Sequence, residues 1–118
     1  MTPFGLPLKT LQQLQSVFAQ YPEITEVILY GSRAKENYKL GSDIDLTIVS
    51  PTLSHQQLLK IENQIDDLLL PYSVDLCLFK TIDNPDLIEH IQRVGIVLSS
   101  SVHPHGGGED SSTISGLI

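Results

Sequence analysis

The sequence has no tryptophan, one methionine and a single cysteine, Cys77, among 118 residues. One cysteine rules out an intramolecular disulfide and fits a reducing compartment. With only three Phe and four Tyr, aliphatic side chains must fill the interior. Basic residues are scarce as well: seven Lys plus Arg stand against fourteen Asp plus Glu, for a formal net charge of -7. They are dispersed rather than striped, so the surface repels phosphate backbones and a long nucleic acid is not an expected partner. No stretch approaches the roughly 18 consecutive apolar residues that span a bilayer. The first eight residues carry no basic segment leading into an apolar one. The expected location is the cytoplasm, with no membrane partner.

What is present suits one domain with a modest core. Pro7 can open a helix, after which Leu8, Leu11, Leu14 and Phe18 share a face until Tyr21 and Pro22. Val27 to Tyr30 is a short β-prone run stopped by Gly31 and Ser32, and Arg33 to Glu36 reads as a short helical turn. Ile44 to Val49 is a second strand. Ser54 and Gln57 have the form of a capping box ahead of Leu58, Ile61, Ile65 and Leu68 or Leu69, and Pro71 ends that helix. Val74 to Phe79 is a third strand. Asn84 and Pro85 start a last helix with Leu87, Ile88, Ile91 and Val94 on its apolar face, and Ile96 to Leu98 adds a short edge strand. The order predicts a small α/β domain, a mixed sheet flanked by helices, over residues 1–100. Residues 101–118, rich in Ser and Gly, read as a flexible tail in which His103 and His105 are simply solvated.

The chemistry concentrates between Gly31 and Leu46. A strand running into Gly31-Ser32 brings backbone close to a ligand and offers N–H donors and a hydroxyl, a cradle suited to a polyphosphate. Asp43 and Asp45, two apart, project from one face of a strand while Ile44, Leu46 and Ile48 take the other. Paired carboxylates on an apolar strand repel one another unless a cation lies between them, and Mg²⁺ is the hard ion that suits carboxylate and phosphate oxygens. Asp75 alternates with Val74 and Leu76 and so faces away from their apolar side. If its strand lies beside that of Asp45, three aspartates converge and can hold two ions about 3.5–4 Å apart, suited to in-line attack at phosphorus. Taken singly, Asp43 is an ordinary strand-end turn residue and Asp75 an ordinary edge position; together with Gly31-Ser32 they point to one site. Arg33 either contacts phosphate as a planar fork or pairs with Asp43 or Asp45. Tyr30 reads as core, and Tyr38 as a loop residue that nothing singles out.

Gly31-Ser32, ten residues, then Asp43-x-Asp45 resembles the signature of the DNA polymerase β-like nucleotidyltransferases. The fuller string, with Arg33-Ala34-Lys35 and Gly41-Ser42-Asp43-Ile44-Asp45-Leu46, is similar to the minimal nucleotidyltransferase (MNT) subgroup, over about residues 10–98. The resemblance implies that Gly31 and Ser32 hold the β- and γ-phosphates of ATP and that Asp43 and Asp45 ligate both Mg²⁺ ions. Asp75 would complete the metal site and help deprotonate an attacking hydroxyl. It further implies a partner, an all-helical HEPN protein encoded alongside, with AMP transferred to a tyrosine of that toxin so that this chain acts as antitoxin. Where the family has Gly after Arg-Ala-Arg/Lys, this chain has Glu36-Asn37, and Asn37 tolerates the left-handed turn a glycine would make. A second reading is an antitoxin that masks the ribonuclease by contact, with weak catalysis or none. A third, transfer to a small molecule such as an aminoglycoside, is set back by the lack of an added helical domain. The sequence leaves self-association open.

Overall fold

The computed structural model describes residues 5–35 and 43–100. Glu36 and Asn37, Tyr38, and the expected tail at 101–118 with His103 and His105 lie outside the described residues. The elements are α1 (Leu8–Phe18), β1 (Glu26–Tyr30), β2 (Ile44–Val49), α2 (His55–Asp66), β3 (Val74–Leu78), α3 (Pro85–Val94) and β4 (Ile96–Ser100). The expected α/β architecture is the observed one: a four-stranded mixed sheet in the order β3-β2-β1-β4. β1 runs antiparallel to β2 and to β4, and β2 runs parallel to β3, with α2 as the crossover.

Alternation along the strands divides the sheet into two faces. Val27, Leu29, Ile44, Leu46, Ile48, Leu76 and Leu78 enter the main core with Leu11, Leu14, Val17 and Phe18 of α1 and Leu58, Ile61 and Ile65 of α2. Ile44, Leu46, Ile48 and Ile61 have no exposed surface; burying each such side chain contributes about 1.5–3 kcal/mol. The other face is partly covered by α3, which packs on β1 and buries Ile91.

Capping follows the sequence. Ser54 Oγ accepts from Gln57 N at 3.1 Å, and Ser54 N donates to Gln57 Oε1 at 3.0 Å, closing the capping box of α2. Asn84 Oδ1 accepts from Asp86 N at 2.9 Å to start α3.

Several expected positions are corrected. Leu8 is 61% exposed, and the inner stripe of α1 is Thr10, Leu11, Leu14, Val17 and Phe18. Of the two alternatives at the end of α2, Leu68 is the one that packs against the core, and Leu69 is 86% exposed. The turn after Asp66 rotates Leu69 outward at φ 55. Phe79 leaves β3 for a short 3-10 turn through Thr81. β4 continues past Leu98 because Ser99 and Ser100 pair with Val27 and Glu26 of β1.

Candidate active site

The end of the sheet where β1 finishes and β2 and β3 begin gathers the chemistry-bearing residues. Asp45 is the second residue of β2 and Asp75 the second of β3, and they are register partners in the parallel pair. On its other side Asp45 is the partner of Tyr30, the last residue of β1. Tyr30, Asp45 and Asp75 therefore stand in a row across three strands on one face, with neighbouring strands about 4.8 Å apart. Asp43, one residue before β2, is exposed; Asp45 is half-buried and Asp75 exposed.

The electrostatics record this crowding. Burial pushes the Asp45 carboxyl above its ordinary range, and the negative charges of Asp75 and Asp43 raise it further, against a smaller opposing effect of His90. Tyr30 is held higher still, first by burial, then by Cys77, and by the Asp75 and Asp45 carboxylates. Its hydroxyl lies 3.8 Å from Cys77 Sγ, which in turn donates to Thr47 Oγ1 at 3.4 Å. Tyr30, expected as core, is buried and floors the acidic row.

Gly31 follows Tyr30 at φ +79, and a Cβ there would run into Asp45 Oδ2. Only glycine lets the chain turn this tightly against the carboxylate. Gly31 O accepts from Lys35 N at 3.2 Å, so residues 31–35 close one turn, with Ser32 half-buried on it. Arg33 points inward from the same turn. It is 2% exposed, and its guanidinium carbon sits 5.1 Å from the centre of the Tyr72 ring, a cation–π contact. This stacking on Tyr72 comes in addition to the two expected placements for Arg33, on phosphate or on Asp43 or Asp45.

His90 of α3 was absent from the sequence-based site. Its Nε2 accepts from Gly31 N at 3.0 Å, and its ring meets Tyr30 edge-on with centroids 6.3 Å apart. The signal was available: His90 lies three residues after Leu87 and four before Val94, inside the apolar stripe of α3, where a polar ring needs a partner.

The carboxylate set suits a hard divalent ion. Among the described residues no three His, Cys, Asp or Glu side chains are drawn tightly enough to hold an ion as they stand. The raised Asp45 carboxyl, crowded by two like charges beside a glycine bend, is nevertheless the environment a cation relieves. No helix among the described residues is long and apolar enough to cross a membrane.

Residues 12–103 match the family described as Polymerase beta, Nucleotidyltransferase. A protein of Methanocaldococcus jannaschii, provisionally named a protein adenylyltransferase, is 30% identical over 94 residues, 73% of this chain and 95% of the relative. Among solved structures, a chain of a toxin–antitoxin complex with AMP-PNP has a TM-score of 0.62 at 17% identity, over 92% of this chain and 83% of its own. A chain of the complex between a tri-AMPylated Shewanella oneidensis HEPN toxin and an MNT antitoxin has a TM-score of 0.57 at 17% identity, over 76% and 69%. At these identities the likeness is one of fold.

Proposed function

Because this chain belongs to the polymerase beta nucleotidyltransferase family, we propose that it transfers AMP from ATP to a hydroxyl of a helical HEPN-type protein, a tyrosine above all, and so acts as that toxin's antitoxin. The observation that carries the reading is the register pairing of Asp45 with Asp75 beside the Gly31-Ser32 bend. The adenylyltransferase relative and the fold shared with chains of toxin–antitoxin complexes, one with AMP-PNP and one with an AMPylated HEPN toxin, support the choice of donor and acceptor. The absence of a basic stripe argues against a polymerase working on a long template.

Asp43, Asp45 and Asp75 would hold two Mg²⁺ ions, whose charge offsets that of the triphosphate when bound. Ser32 offers its hydroxyl and N–H to the β- and γ-phosphate oxygens. Gly31 contributes room, since its N–H already goes to His90. The acceptor oxygen attacks the α-phosphorus as the bond to the β-phosphate oxygen breaks and pyrophosphate leaves. The hydroxyl proton passes to Asp75, exposed at the β3 edge where an incoming protein side chain can reach it. Arg33, stacked on Tyr72 in the same turn, would add its guanidinium to the nucleotide-binding set beside Ser32. Residues 1–100 would form the transferase domain, with 101–118 outside it, and the setting would be the cytoplasm.

Incubation with ATP labelled at the α-phosphate, Mg²⁺ and the helical protein encoded alongside should place label on that protein, whereas γ-label should not transfer. Asp43→Asn should abolish the labelling. If the variant labels the partner as well as the wild type does, the mechanism is wrong. Neutralisation of the partner by a folded Asp43→Asn, Asp45→Asn, Asp75→Asn triple variant would mean that the chain works by contact instead.

A further inference from the structure

β4 pairs with β1 only as far as Leu29, opposite Ile96, because the chain before Ile96 belongs to α3. The strand neighbour that would run on past Leu29 on that side is thus replaced by a helix, and the backbone donor of Gly31 needs a partner from elsewhere. His90 supplies it. Nε2 accepts from Gly31 N at 3.0 Å, which places the proton of the neutral ring on Nδ1. The imidazole is also braced edge-on against Tyr30. Gly31 is then held at two points, its N–H by His90 and its carbonyl by Lys35 N across the turn, with the Asp45 carboxylate filling the space a Cβ would take.

We propose that His90 is a positioning residue of the nucleotide cradle, holding Gly31 through Nε2 so that the turn presents Ser32 at a fixed place beside Asp45. This rests on the reading of the site as a nucleotidyltransferase centre. His90 touches neither phosphate nor acceptor in this role; it acts through the Gly31 peptide. A wholly different role, filling space under Tyr30, would need only the ring. The two are separable, because glutamine carries an acceptor at the distance of Nε2 without a ring, whereas phenylalanine carries the ring without an acceptor.

The test compares wild type, His90→Phe and His90→Gln by two readouts. One is titration calorimetry with ATP and Mg²⁺; the other is the Gly31 amide resonance in a ¹⁵N-labelled sample. In His90→Phe the Gly31 amide proton should move upfield and affinity for ATP with Mg²⁺ should fall about 3- to 10-fold, the effect of one hydrogen bond. His90→Gln should keep both near the wild-type values. Should His90→Phe bind like wild type, or His90→Gln be the weaker of the two, the positioning role is refuted. An unchanged Gly31 amide in His90→Phe refutes it as well. Failure of the wild type itself to bind ATP with Mg²⁺ would overturn the nucleotidyltransferase reading, and the role of His90 with it.

Discussion

At the scale of single residues, Gly31 and Asp45 form one unit, since the missing side chain of the first is the space occupied by the second. Gly31→Ala must both adopt φ +79 and displace the carboxylate, so the variant should lose about 1–3 kcal/mol in urea denaturation. A wild-type unfolding midpoint would contradict this close approach. Asp45 makes a pH prediction. Its carboxyl is raised in the folded protein, so the native state binds the proton more tightly than the unfolded chain. Its favourable contribution is complete below the unfolded value near 3.9 and is lost as pH rises through the folded value. In chelator, Asp45→Asn should therefore gain stability relative to wild type as pH climbs from about 3.5 to 7, by thermal melts at each pH. A variant less stable than wild type at neutral pH would show that the acidic row is not strained. That Asp45 and Asp75 face away from the apolar side of their strands was legible, because strand alternation fixes which residues share a face. His90 and the stacking of Arg33 on Tyr72 were not, because both depend on which elements meet in space.

At the scale of elements, the helix starts were written locally and the exits were not. The Ser54 and Gln57 pair is a four-residue pattern whose bonds involve only backbone nearby, so the sequence sufficed. Ser54→Ala should cost about 1 kcal/mol, measurable as a lower urea midpoint; no change would mean the cap is redundant. The exit of α2 stayed open in the sequence because either Leu68 or Leu69 fits helical spacing, and only the left-handed turn decides between them. That turn puts a leucine where glycine is favoured, with 86% of its surface in water. Leu69→Gly should accordingly stabilise the protein by about 0.5–1 kcal/mol, the left-handed strain of roughly 1–2 kcal/mol less the roughly 0.5–1 kcal/mol of added backbone entropy, and destabilisation would show that the Leu69 side chain makes a contact worth more than the strain. Gly95 marks the opposite case: a Cβ there would overlap Ile91 O and Ile28 Cγ2, so α3 turns into β4 only through a glycine.

At the scale of the molecule, the strands could be counted from the sequence, but their order β3-β2-β1-β4 could not, since hydropathy sets faces and not neighbours. That order brings Asp75, 30 positions beyond Asp45, into register with it, and among the described residues it leaves β3 at the edge of the sheet beside the site. If residues 101–118 stand outside the transferase domain, removal of 104–118 should leave AMP transfer and the melting temperature unchanged. The most direct measurement for the whole scheme is a crystal structure with AMP-PNP and Mn²⁺, read by the anomalous signal of the metal. Manganese should bind at Asp43, Asp45 and Asp75, with the β- and γ-phosphates against Ser32 and the α-phosphate toward the β3 side of the site. Manganese bound away from these aspartates, or a nucleotide seated elsewhere on the chain, would contradict it.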